Sequence, residues 1–178
     1  MKECIDARSG REMTMRQLSV AVFALLGMSG AAFAQEAVFE TKSLTPETAL
    51  AAAKAALESC RKQGYQVAVA VVDRAGLTQV LLRDRFAGAH TIEVATNKAW
   101  TAASFRASSM TMGEETQPGK PMSGIRSLPR FLGAGGGVVI QGGGLFFGGI
   151  GVSGAPGGEA DESCAIAGLK AISDAIEF

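Results

Sequence analysis

Between residues 133 and 158 the chain reads GAGGGVVIQGGGLFFGGIGVSGAPGG, and 13 of these 26 residues are glycine. Glycine weakens helices and strands, so such a run needs a turn, a close backbone approach or a ligand to explain it. Within it, 149-GIGVSG-154 matches G-x-G-x-x-G, the pattern of dinucleotide-binding loops. That pattern works where a strand turns straight into a helix whose N-terminus carries partial positive charge towards a pyrophosphate. Here Ala155-Pro156-Gly157-Gly158 intervenes, and the helix that follows opens with Glu159, Asp161 and Glu162. Those carboxylates suit a helix N-terminus but repel a phosphate. Only 24 residues follow Gly154, and Asp174, at the spacing of a ribose-binding acid, falls in a helical segment. The pattern therefore argues against a nucleotide. Gly142 to Gly144 read as a turn, and Gly148, Gly149 and Gly151 as places where another backbone or a flat ligand approaches a strand.

The rest of the chain sets this run in an antiparallel context. Residues 44–64 open with Thr45 as N-cap and Pro46 at the first helical position. They repeat Ala49, Leu50, Ala53, Leu57 and Cys60 at helical spacing and stop at Gly64. The stretch 65-YQVAVAVVD-73, a turn at 73–76 and 77-LTQVLLRD-84 form a hairpin. After the loop 85–90, residues 91–106 are helical through Ile92, Val94, Ala95, Ala99, Ala102 and Ala103, and 107–127 read as a long surface loop with at most a helical turn. A second hairpin runs from Val138 to Ser153. A final helix spans 159–178 with Cys164, Ile166, Ala167, Leu169, Ala171, Ile172 and Ile176 on its buried side. The order α-β-β-α-loop-β-β-α, built from hairpins, gives one antiparallel sheet flanked by helices, an α+β domain.

At its start the chain reads as a leader. From Met15, MRQLSVAVFALLGMSGAAFA joins a basic residue, an apolar segment and an Ala32-Phe33-Ala34 ending, the layout of a secretory signal peptide cleaved before Gln35. The apolar run is short for a membrane span. The mixed charges of the first fourteen residues do not suit a signal n-region, which points to Met13 or Met15 as the biological start. The expected organisation is a leader over 1–34, a polar linker over 35–43 and a domain over 44–178, exported to the periplasm or outside the cell. With 17 basic and 17 acidic residues, no charge excess calls for nucleic acid. Once the leader is removed, Cys60 and Cys164 remain, and they read either as a bridge between adjacent helices or as two buried thiols.

Several segments resemble the GlcG/HbpS family of haem-binding proteins, itself related to the C-terminal domain of PduO-type adenosyltransferases. They are 67-VAVAVVDRAG-76, 87-AGAHT-91, 98-KAWTAASF-105, 135-GGG-137 and 150-IGVSGAPGGEADE-162. The resemblance covers residues 44–178. It implies a profilin-like α-β-α sandwich with about five strands, the additional one near Gln79 to Arg85 or in 131–134. It further implies a homo-oligomer from dimer to octamer, a haem cofactor, and a role in haem sensing or haem degradation, with a sensor or transport protein as partner. Two departures stand out: Val139 where the family carries proline, and Gly143-Gly144 where it carries an Asp-Gly turn.

His90 is the chain's single histidine and stands at a loop-to-helix junction, where an imidazole can point into a cleft and take haem iron. Its other reading is an exposed or capping histidine. Tyr65, Met110, Met112 and the cysteines are lesser iron-ligand candidates. Arg83, Arg85 and Lys98 are candidates to pair with haem propionates, against a reading as a solvated face. Trp100 reads as core or interface, or as a ring stacked on a porphyrin. No nucleophile motif accompanies His90 and Asp73, and Glu114-Glu115 lack metal-ligand spacing. The competing functional class is a non-enzymatic oligomeric accessory protein that binds a small organic acid or a partner protein, without specific haem.

Overall fold

The computed structural model describes residues 37–177; the leader and its cleavage point lie outside them. Helix α1 (Pro46–Lys62) starts where Thr45 Oγ1 accepts the Thr48 N–H at 3.2 Å, with proline at its first position. It buries Ala49, Ala52, Ala53, Ala56, Leu57 and Cys60. Strands β1 (Ala68–Asp73) and β2 (Thr78–Arg83) form the first hairpin. Asp73 Oδ1 closes its turn by accepting the N–H groups of Ala75 and Leu77 at 2.8 and 2.9 Å. Then come α2 (Thr91–Phe105), α3 (Ser109–Glu115), a 3-10 turn (Ser123–Ser127), β3 (Gly137–Gly142), β4 (Leu145–Ser153), α4 (Gly158–Lys170) and α5 (Ser173–Ile176).

The sheet has the order β2-β1-β4-β3, and each neighbouring pair is antiparallel. Residues along β1 alternate between two layers. Val69 and Val71 face the larger core, with Ile140, Phe147, Ile150 and Val152 of the sheet and residues of α1 and α4. Ala68, Ala70 and Val72 face α2 through Ala95, Ala99 and Ala103. The result is the expected α-β-α arrangement, in which the buried cluster between sheet and α2 consists of alanines and one valine, with Phe146 packed against it.

That smallness accounts for the glycines. A β-carbon on Gly151 would lie 2.1 Å from the Ala95 carbonyl oxygen, and one on Gly149 2.5 Å from that of Ala99. The backbone of α2 rests directly on β4, so glycine is the residue that fits. The Gly143-Gly144 turn between β3 and β4 adopts φ of 54° and 75°, as a two-residue hairpin turn requires.

Four readings from sequence change. The described residues contain four strands rather than about five: residues from Thr78 to Arg83 are β2 itself, and 131–134 form none. The 107–127 loop contains two-turn α3, capped by Ser108 and burying Ser109, Met112 and Gly113. The C-terminal helix breaks after Lys170, and this break lets Ile172 and Ile176 both reach the core. Ile166, placed on its buried side, is exposed; Gly168 packs there instead, against Ala52 and Ala56 of α1. Cys60 and Cys164 are joined as a disulfide with Cα atoms 5.6 Å apart, linking α1 to α4.

Candidate functional site

Three segments meet at one end of the sheet around a cleft of about 510 Å³. The exit of α1 contributes Gly64, Tyr65 and Gln66; the loop before α2 contributes Phe86, Gly88 and His90; the β4–α4 connection contributes Gly154 to Gly158. Each segment has its own anchor.

The histidine loop is pinned at its start by Asp84, which is buried. Its carboxylate accepts both Nε and Nη2 of Arg61, at 2.7 and 2.9 Å, and the Arg85 N–H at 2.9 Å. The Arg61 hydrogen bonds are the main cause that holds the Asp84 carboxyl at about 2, below its ordinary 3.8. Arg83 donates to the Ala87 carbonyl. At the loop's end, Thr91 Oγ1 donates to the Gly88 carbonyl at 2.6 Å.

The glycine connection is braced from α4. Asp161 Oδ1 accepts the Ala155 N–H at 2.9 Å while Oδ2 accepts Lys98 Nζ at 2.8 Å. Lys98 Nζ also donates to the Val152 carbonyl at 3.0 Å, and both side chains of this pair are buried. Glu162 Oε2 accepts the Gly136 N–H at 3.2 Å. The carboxylates at the start of α4 thus bind the chain's own backbone and lysine, the physical form of the clash that argued against a phosphate.

His90 is exposed and lines the cleft, and neither ring nitrogen has a hydrogen-bond partner among the described residues. Its ring lies over Gly88, where a β-carbon would come within 2.7 Å of Cε1, so glycine leaves the imidazole its room. Tyr65 is partly buried beside it, and Phe86 is 80% exposed at the rim. Gln66 Oε1 is shielded and unpaired on the wall. A free imidazole, a phenol, an exposed ring and a largely glycine floor suit a flat group that carries a metal. The described residues hold no cluster of three His, Cys, Asp or Glu side chains for a bare ion.

The other candidates fall elsewhere. Lys98 is neither a propionate partner nor part of a solvated face: it is buried and committed to Asp161 and Val152, because α2 lies so close to the sheet that this side chain points under the β4 end. Arg85 is exposed, one residue from Phe86, outside the cleft lining and without an ion pair among the described residues. Trp100 sits away from the cleft, against Gly76, under Arg130 and edge-on to Phe105. Met112 is buried, Met110 packs on Gly135, and the cysteines are bridged, so these four sulfur atoms are occupied by the fold. Sequence reasoning missed Asp84, Phe86, Gln66 and the bracing role of Asp161. Asp161 alone carried a signal, as the middle acid of 159-EADE-162 placed one turn into a helix.

Comparisons with known proteins converge on one group. A family model described as haem degrading protein HbpS-like matches residues 44–170. A crystal structure of HbpS is 37% identical, with a TM-score of 0.73, and the match covers 78% of this chain and 96% of that one. The crystal structure of a PduOC:heme complex is 28% identical, with a TM-score of 0.70 and coverage of 74% and 96%. The corrinoid adenosyltransferase PduO of Salmonella typhimurium is 31% identical over 103 residues, 57% of this chain. The matching part spans 31% of that enzyme's length.

Proposed function

Because the chain belongs to the HbpS-like family over residues 44–170, we propose that it is an exported haem-binding protein with His90 as axial ligand to the iron. One observation carries this reading: the chain's single imidazole has both nitrogens without a hydrogen-bond partner among the described residues and lines a cleft of about 510 Å³, a size usual for small-molecule sites at roughly 300–1,000 Å³. The relative crystallised as a haem complex shares the fold and supports the choice of group.

In that role, haem supplies redox-active iron, and peroxide chemistry at that iron would underlie sensing or degradation. The chain's own residues bind and orient. His90 would give a nitrogen to the iron, and its position over Gly88 sets the ring's direction. Phe86 and Tyr65 would flank a flat ligand, and the glycine connection would let it lie close to backbone. Of the three candidate cations, Arg85 is the one without a side-chain hydrogen bond or ion pair among the described residues, and it would face a propionate. The leader read from residues 15–34 and the disulfide both support export to an oxidising compartment. Assembly as a homo-oligomer would let a partner subunit help to hold the group.

Titrating haemin into purified protein starting at Gln35, beside a His90→Ala variant, tests the reading. A sharp Soret band that saturates at one haem per subunit or per dimer, and shifts or disappears in the variant, is the expected result. A broad, unsaturating spectrum identical in both proteins would leave the accessory-protein reading standing instead.

A further inference from the structure

The β1–β4 ladder runs from Ala68↔Ser153, beside the histidine cleft, to Asp73↔Gly148. Near its far end two guanidinium groups share one aromatic ring. Arg106, just past the last turn of α2, has its Cζ 4.9 Å from the Phe146 ring centroid, and Arg74, in the β1–β2 turn, has its Cζ at 5.7 Å. Arg74 Nη1 also donates to the Phe146 carbonyl at 2.8 Å. Among the described residues, neither arginine lies within ion-pair distance of a carboxylate and the Arg106 guanidinium makes no hydrogen bond.

Arg106 is also the one described non-glycine residue with positive φ, at 52°, a conformation unfavourable for an ordinary side chain. A helix C-terminus favours a cation nearby, which explains a basic residue there. It does not explain a second guanidinium on the same ring with no acid between them. Beside Arg106 opens a pocket of about 470 Å³, lined also by Phe146, Leu145, Gln141, Gly142 and Gly144.

We infer that this pocket binds a small carboxylate. A guanidinium held against a ring keeps its plane fixed, and its fork of N–H donors matches the two oxygens of a carboxylate. Arg74 adds a second positive charge. Leu145 and Phe146 offer an apolar wall to a short carbon skeleton, and the Gln141 amide a partner for a hydroxyl or second carboxyl. A phosphate dianion fits less well, since it calls for several converging donors and the pocket offers one free fork.

The site is independent of His90, so its test does not depend on haem. Isothermal titration of the purified protein would use acetate, succinate and citrate, with inorganic phosphate and chloride at matched ionic strength as comparison anions. Saturable binding of at least one carboxylate is expected, at least tenfold weaker in Arg106→Gln and at least threefold weaker in Arg106→Lys, which keeps the charge but loses the fork. Affinity in His90→Ala should be unchanged. The inference is overturned if none of the three carboxylates saturates, if phosphate or chloride binds as well, or if both Arg106 variants bind like the parent. Thermal unfolding of the variants near the parent midpoint would confirm that any lost affinity is local.

Discussion

Asp84 shows how one residue positions the histidine loop. It is buried, accepts three N–H groups and titrates at about 2 rather than 3.8, chiefly because the folded state holds the Arg61 guanidinium against it. A carboxyl depressed by folding adds stability that is fully present above its unfolded value and is lost as pH falls through the folded one. The protein should therefore lose stability between about pH 4 and pH 2. In Asp84→Asn that slope should flatten, with a lower unfolding midpoint at neutral pH, and thermal melts across the pH range would show both. Haemin binding should weaken with it, since Arg61 would no longer fix the loop that carries His90. His90 itself was legible because it is the chain's single histidine and sits in a family motif. Asp84 was not, because an acid between Arg83 and Arg85 reads as a solvated loop until the fold brings Arg61 from α1 beside it. Lys98 misled for the same reason: a lysine is scored as surface until a buried carboxylate is found opposite it.

At the scale of elements, α2 rests on the sheet by direct backbone approach. Its carbonyl oxygens at Ala95 and Ala99 lie 2.1 and 2.5 Å from where β-carbons at Gly151 and Gly149 would be. Both atoms are backbone, and neither can swing aside, so an added methyl must push the helix off the sheet. Gly151→Ala should destabilise the domain by about 3 kcal/mol, at or beyond the upper end of ordinary overpacking. Gly157→Ala, where nothing lies within 4 Å and the backbone is extended, should change stability by less than about 1 kcal/mol. Urea unfolding of the two variants distinguishes a strand glycine fixed by close approach from one that merely lines the cleft. The two hairpins and three of the helices were readable because capping residues, alternation and turn glycines agree over their whole length. Helix α3 was not readable: its segment SMTMGEE is polar with a central glycine, and it is held by one buried methionine and by Ser109 Oγ, which accepts the Gly137 N–H at 2.8 Å. Such support comes from elsewhere in the fold and leaves no period in the sequence.

For the whole molecule, the Cys60–Cys164 link is the long-range feature that bears most on stability. Sequence left the bridge open because nothing local shows that α1 and α4 lie side by side; Gly168 packed against α1 reveals it only in three dimensions. The sequence separation of 104 residues closes a long loop, and in the chain-entropy view such a closure stabilises the fold by about 4–5 kcal/mol. A domain of this size has a total stability of roughly 5–15 kcal/mol, so reduction removes a large share of it. The link also joins the two sides of the candidate haem cleft: Cys60 lies four residues before Gly64 at the α1 exit, and Cys164 three after Asp161 at the start of α4. Dithiothreitol should therefore lower the urea midpoint of the parent protein and quicken haemin release. A Cys60→Ala/Cys164→Ala variant should start from the lower midpoint and ignore the reductant. If the parent protein unfolds at the same urea concentration with and without dithiothreitol while its thiols titrate as reduced, the bridge contributes nothing to the fold. The case for an oxidising compartment would then rest on the leader alone.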